Sequence, residues 1–196
     1  RAERLPRLGE TILGQHFRLG PGGKGSNQAV AAARAGGDVH IITRLGRDAF
    51  AAMARDLWHD AGVTPEVTED PDSYTGSAFI FLEAATGQNA IIVAQGAAAR
   101  ISVADVEARR GLIEGANLFI TQLEQPLDAA EHGLRLARGA GVRTILNPAP
   151  AASLTDGILG LCDLITPNES EAEGLTGVTV ATFSDAEAAA DKLIER

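Results

Sequence analysis

Short apolar runs that alternate with helical stretches constrain this chain more than any other feature. Residues 39–43 (VHIIT), 117–123 (NLFITQL), 143–146 (RTIL) and 163–166 (DLIT) each read as a buried strand, and residues 48–61, 126–140, 153–161 and 169–175 follow them as helices. Strands separated in this way build an open, mostly parallel sheet with helices packed on it, the α/β class. Local chemistry marks several helix ends. Ser102 with Asp105 forms a weak capping pair for a helix to about Ile113, Ser184 with Glu187 matches a capping box for a last helix reaching Arg196, and Gly62 and Gly177 close two others. Two further runs break the pattern: residues 76–83 (GSAFIFLE) and 89–94 (NAIIVA), joined by Ala84-Ala85-Thr86-Gly87-Gln88, read as a β-hairpin. A hairpin has no place in a simple doubly wound sheet, so it is expected to project as a small β-flap with residues 11–19 (TILGQHFRL) as its partner strand.

The stretch richest in chemistry is Gly20-Pro21-Gly22-Gly23-Lys24-Gly25-Ser26-Asn27-Gln28, between that alternating run and an alanine-rich helix over residues 28–35. Residues without side chains around one lysine let backbone N–H groups come close to a polyhydroxylated or anionic ligand. Ser26 or Asn27 is expected to cap the helix. Gly20, Gly22 and Gly25 also satisfy the dinucleotide fingerprint G-x-G-x-x-G, but that fingerprint wants an acid near the end of the next strand, where Arg44-Leu45-Gly46 stands. The stretch is not a P-loop, because Gly25 follows Lys24 where Ser or Thr is required. The plain alternative is a tight turn carrying a solvated lysine.

Polar residues follow three of the expected strands: Gln122-Leu123-Glu124, Asn147-Pro148 and Pro167-Asn168-Glu169. In open α/β sheets the ligand crevice lies at the carboxyl ends of the strands, so these side chains should gather on one edge beside the glycine stretch. Each also has an ordinary reading: Glu124 as a surface carboxylate, Asn147 as a turn former before proline, Asn168 as a helix cap. Asn168 and Glu171 fall one helical turn apart, a spacing suited to orienting a hydrated magnesium ion and its phosphates. The same pair reads as a capping box, and the two roles are compatible. His16, His40, His59 and His132 show no ligand spacing and are assigned no metal, and there is no Ser-His-Asp order or G-x-S-x-G elbow.

Charge and length narrow the partners. A formal net charge of −9 argues against nucleic acid or an anionic membrane surface, and leaves a small molecule as the default ligand. Cys162 is the only cysteine, which excludes an intrachain disulfide and fits a reducing cytoplasm. No apolar run approaches the roughly 18 residues a membrane span needs. The 196 residues suffice for one well-cored domain, and a chain that opens at Arg1 rather than Met is expected to be part of a longer one.

Gly22-Gly23-Lys24-Gly25-Ser26-Asn27-Gln28-Ala29-Val30-Ala31-Ala32-Ala33-Arg34 resembles the N-terminal signature of the ribokinase branch of the phosphofructokinase-B (PfkB) family of carbohydrate kinases. Gln122-Leu123-Glu124, Leu146-Asn147-Pro148-Ala149-Pro150-Ala151 and Ile165-Thr166-Pro167-Asn168-Glu169-Ser170-Glu171-Ala172-Glu173 resemble later motifs of that branch in the same order. The resemblance implies a single three-layer α/β/α ribokinase-like sandwich, incomplete over residues 1–196, with a small β-sheet lid from strands near 11–19 and 76–94. It implies transfer of the γ-phosphoryl group of ATP to the 5-hydroxyl of D-ribose, with Mg2+ and, as an option, a monovalent cation such as K+. Carried over by position, Gly23, Lys24, Gly25, Ser26, Asn27 and Glu124 would bind the sugar, Asn168 the nucleotide phosphates, and Glu171 would help place magnesium. The family's catalytic aspartate, in a G-A-G-D-type motif, is expected beyond Arg196, so no residue here is assigned as the base. A homodimer through the lid is implied as well. Nothing before Leu5 supplies the family's first sugar-binding segment, and Ala97-Ala98 stands where Ala-Asn is common. Two other readings stay open: a catalytically inactive sugar-binding or regulatory module of the same fold, and a nucleotide-cofactor oxidoreductase built on G-x-G-x-x-G.

Overall fold

A computed structural model describes residues 1–196, which group into two compact units, Arg1–Ala98 and Ala99–Arg196. The first unit contains helix α1 (Lys24–Arg34), strand β1 (Val39–Leu45), helix α2 (Ala49–Ala61) and strand β2 (Val63–Glu69), followed by strands β3 (Thr75–Leu82) and β4 (Asn89–Gly96). Strands β1 and β2 pair in parallel from Val39↔Val63 to Leu45↔Glu69. Ala29, Val30, Leu45, Ala51, Trp58 and Val63 form the core between them and the helices. Trp58 is 2% exposed, and its indole N–H donates to Ser26 Oγ at 2.8 Å, so the largest buried ring has its one polar atom satisfied. Strand β2 was not expected, since Pro65 interrupts its sequence. Proline is tolerated because its register partner Ile41 lies on β1 while the far side of β2 is an edge.

The hairpin is present, with β3 and β4 antiparallel from Thr75↔Gly96 to Leu82↔Asn89. Residues 11–19 form no strand beside it, which corrects that part of the expected lid. Ala2 is seated on the ribbon instead: its N–H donates to Leu82 O at 3.2 Å and its carbonyl accepts from Ala84 N at 2.9 Å. The alternating run, with Leu13 92% and Phe17 80% exposed, is tied only at Gln15 and His16, whose N–H groups donate to Arg1 O at 2.8 and 3.3 Å. Alternation alone makes no strand where another residue already occupies the sheet edge.

The root of the ribbon is closely built. A Cβ on Gly46 would come within 2.4 Å of Ser73 O, and Gly96 has φ +54 with Tyr74 O 2.3 Å from any Cβ, so two backbone segments cross where no side chain fits. Asp48 joins this crossing to the helix. Its Oδ1 accepts from Ala51 N at 2.9 Å as the N-cap of α2, and its Oδ2 accepts from Thr75 N at 2.7 Å at the start of β3. Thr75 Oγ1 in turn accepts from Gly46 N at 3.0 Å.

The second unit contains α3 (Val103–Glu107), α4 (Arg110–Glu114), β5 (Leu118–Thr121), α5 (Leu127–Gly139), β6 (Arg143–Leu146), α6 (Asp156–Leu159), β7 (Leu164–Ile165), α7 (Glu169–Thr176) and α8 (Phe183–Ile194). Its sheet has the order β5-β6-β7, all parallel. Leu123, Leu134, Leu146, Leu154, Ile158 and Leu159 make its core, with Phe119 packed against them. Gly133 lets α5 lie on β5, because a Cβ there would meet the Phe119 ring at 2.6 Å. Ser102 and Asp105 form the expected capping box. The last helix starts earlier than expected, capped by Thr182 with Asp185 rather than Ser184 with Glu187.

Asp48 supplies a stability prediction. Accepting the Thr75 N–H, and then the Ala51 N–H, lowers its carboxyl pKa. A depressed acid stabilises the fold above its unfolded pKa, near 3.9, and loses that contribution as pH falls through the lower folded value. Asp48→Ala is expected to cost roughly 1–3 kcal/mol at pH 7, from a lost cap and an unsatisfied N–H at buried Thr75. The deficit should shrink below about pH 4, as urea melts across pH would measure. A deficit independent of pH would show that the charge of Asp48 contributes nothing.

Candidate functional site

In the first unit the residues expected to hold a sugar form one contiguous turn at the start of α1. Gly23, with φ 94 and ψ 136, is the N-cap and gives no side-chain bond. The helix therefore starts earlier than expected, and neither Ser26 nor Asn27 caps it; both lie in its first turns. Asn27 N donates to Gly23 O at 2.9 Å. At a helix N-terminus the first amides have no intrahelical carbonyl to reach, and the helix dipole makes this end electropositive. No atom lies within 4 Å of a Cβ built on Gly22 or Gly23. Gly23 is thus required by its positive φ, and the space around the pair is open to a ligand. Ser26 is buried with its hydroxyl turned to Trp58, so that side chain is committed to the core. Asn27 is exposed, and a hollow beside it is lined by Arg18, Gly20, Pro21 and Arg34.

This geometry also weighs on the dinucleotide fingerprint. Gly20 and Gly22 lie in irregular chain, not at the end of a strand. The fingerprint needs a strand before the glycines and an acid after the next one, and neither is present.

In the second unit the parallel register brings three strand ends to one edge. Thr121 pairs with Leu146, and Leu146 with Ile165, so Glu124, Asn147 and Asn168 all follow the same end of the sheet. Strands β5 and β7 flank β6, so their ends stand about 10 Å apart, two strand spacings. Glu124 is half-buried in the turn after β5. That turn is fixed by Leu123 N donating to Ala149 O at 3.0 Å and by Gln125, whose Nε2 donates to Thr121 Oγ1 and Gln122 O, both at 2.6 Å. Sequence reasoning passed over Gln125, for nothing in its spacing announces a side chain that folds back on its own strand.

Asn168 and Glu171 form a reciprocal box at the start of α7. Asn168 Oδ1 accepts from Glu171 N at 2.8 Å, and Glu171 Oε2 accepts from Asn168 N at 2.9 Å. Asn168 is exposed, whereas Glu171 is only 6% exposed. The capping role is therefore filled. A magnesium role remains chemically compatible, since a carboxylate has lone pairs beyond the one used here. No three His, Cys, Asp or Glu side chains are grouped to hold a metal. The donor set suits a hydrated Mg2+ that is bound mainly through phosphates, with one carboxylate nearby, and does not suit an all-protein cage.

The family model for pfkB family carbohydrate kinases matches residues 1–196. The ribokinase of Haemophilus influenzae is 41% identical over 192 residues, covering 95% of this chain and 62% of the relative. The deoxyribokinase of Salmonella typhi is 35% identical over 194 residues, covering 98% of this chain and 63% of the relative. Among solved structures, Arabidopsis thaliana ribokinase complexed with ribose and ATP matches with a TM-score of 0.86 at 30% identity, over 99% of this chain and 64% of that one. The chain thus spans a little under two thirds of the length of these three proteins. Its fold class is the three-layer α/β/α ribokinase-like sandwich. With the family model matched from the first residue to the last, the chain belongs to the pfkB family of carbohydrate kinases.

Proposed function

We propose that this chain forms the sugar-binding part, and some of the phosphate-binding part, of an ATP-dependent kinase that transfers the γ-phosphoryl group to the 5-hydroxyl of D-ribose. The observation that supports the reading is the shared carboxyl edge of β5, β6 and β7, from which the Glu124 and Asn168 turns both follow. The Haemophilus influenzae and Arabidopsis thaliana proteins, both called ribokinases, support ribose as the acceptor. The Salmonella typhi relative makes 2-deoxyribose the competitor to compare.

Within this reading each residue has a defined task. Lys24, the Asn27 side chain and amides at the start of α1 donate to sugar hydroxyls, and the Glu124 carboxylate accepts from another. Asn168 donates to nucleotide phosphates, and Glu171 orients the water shell of Mg2+. When bound, Mg2+ supplies charge neutralisation at the phosphates. Phosphoryl transfer depends mainly on alignment and such neutralisation, so fixed amides and one carboxylate on rigid turns suit the chemistry. No residue of this chain is assigned as the base, or to a monovalent cation such as K+. Use of ATP and the single cysteine of these 196 residues suit the cytoplasm; no helix is long and apolar enough to cross a membrane.

The β3–β4 ribbon leaves Phe79, Ile80, Ile91, Ile92 and Val93 each more than half exposed. A two-stranded ribbon with apolar side chains in water is a surface that calls for a cover. We assign the ribbon as a lid over the sugar, paired with that of a second copy.

Two measurements test this. The full-length protein should release ADP from ATP in the presence of D-ribose, faster than with 2-deoxyribose, and chelation of Mg2+ should abolish the release; no turnover with any sugar of a panel contradicts it. Sedimentation velocity should give a dimer for the full-length protein and a monomer for Ile92→Asp. A monomeric wild type removes the ribbon as an interface.

A further inference from the structure

Asn147 is given no part in the site as described, yet it bonds to the strand ends on both sides of its own. Strand β7 is two residues long and pairs with β6 only at Ile145↔Leu164 and Leu146↔Ile165. The final backbone bond on that side is Thr166 N to Leu146 O at 3.0 Å. Past it, Asn147 Nδ2 donates to Thr166 O at 2.8 Å, with Thr166 Oγ1 at 3.3 Å, so a side-chain amide adds one more rung to the ladder. On the other side Asn147 N donates to Thr121 O at 2.9 Å, at the end of β5. Two residues beyond Thr166 stands Asn168, the cap of α7.

We propose that Asn147 is a positioning residue for phosphoryl transfer: its side-chain amide fixes the Asn168 turn to the sheet edge that also bears Glu124. The two turns are secured differently. The Glu124 turn has its own bonds, through Leu123 N to Ala149 O and through Gln125, and none of these uses the Asn147 amide. The Asn168 turn leaves a strand with two rungs, so the amide is a large share of what holds it. Only a donor serves here, because the atom it faces is a carbonyl oxygen. Loss of the amide should therefore loosen the phosphate-binding turn and spare the sugar-binding one. Misplacement on the order of 1 Å costs up to about a hundredfold in rate.

The inference rests on the kinase reading, and the experiment separates the two. Steady-state kinetics of the full-length protein, with ribose and ATP varied independently, would compare wild type with Asn147→Ala, Asn147→Asp and Thr166→Val, each with its melting temperature. Asn147→Asp keeps the volume without the donor and serves if the alanine variant does not fold. Both Asn147 variants should lower kcat by about tenfold or more and raise the ATP KM at least about fivefold, with the ribose KM within about twofold. Thr166→Val, which keeps the carbonyl acceptor, should stay within about threefold of wild type. Asn147 variants with wild-type kcat and ATP KM but lower melting temperatures would reduce the residue to a structural one, and a parallel rise in both KM values would overturn the selectivity argued here. A wild-type enzyme that phosphorylates no sugar would instead overturn the kinase reading, and this inference with it.

Discussion

Parallel strands that end together leave backbone groups beyond the last rung, and those groups must find partners or lose stability. In the second unit that requirement shapes the whole candidate edge. Thr121 O is taken by Asn147 N, Thr166 O by the Asn147 amide, Gln122 O by Gln125, and the Glu171 N–H in the first turn of α7 by Asn168. Each bond is ordinary alone. Together they fix three consecutive turns as extensions of the sheet, and side chains on such turns are far better placed than those on free loops.

The first unit reaches a similar end by withholding a partner. Gly23 begins α1 without a side chain to cap it, while Ser26, the residue best suited to capping, is turned inward to satisfy Trp58. Burial of the indole contributes roughly 2–3 kcal/mol, so the hydroxyl is held in the core. The open helix end that results is the electropositive feature a hydroxylated or anionic ligand would use. Asp48 does the opposite work at the ribbon root, closing two donors with one carboxylate.

The residues that sequence reasoning read well are those whose role is local. Gly62 and Gly177 adopt positive φ at helix ends, the Asn168–Glu171 box forms within four residues, and the ends of β6 follow from a short apolar run. Misreadings arose where two local options compete or where the partner is distant in sequence. Thr182 with Asp185 and Ser184 with Glu187 are both plausible boxes two residues apart, and the helix forms the first. Strand β2 hides behind Pro65, and the run 11–19 alternates like a strand although Ala2 occupies the ribbon it was matched to. Gln125 and the Asn147 amide were invisible for the same reason. Their acceptors are set by the tertiary course of the chain, and no spacing rule encodes that.

Ribose binding is assigned to residues of two separate elements, the glycine turn of the first unit and the carboxyl edge of the second. Calorimetric titration of D-ribose into the full-length wild type, Lys24→Ala and Glu124→Gln tests this most directly. Each substitution should weaken ribose binding by about tenfold or more, the usual loss when one charged hydrogen-bonding partner is removed. Unchanged affinity in either variant would contradict the account, because that residue would then take no part in holding ribose.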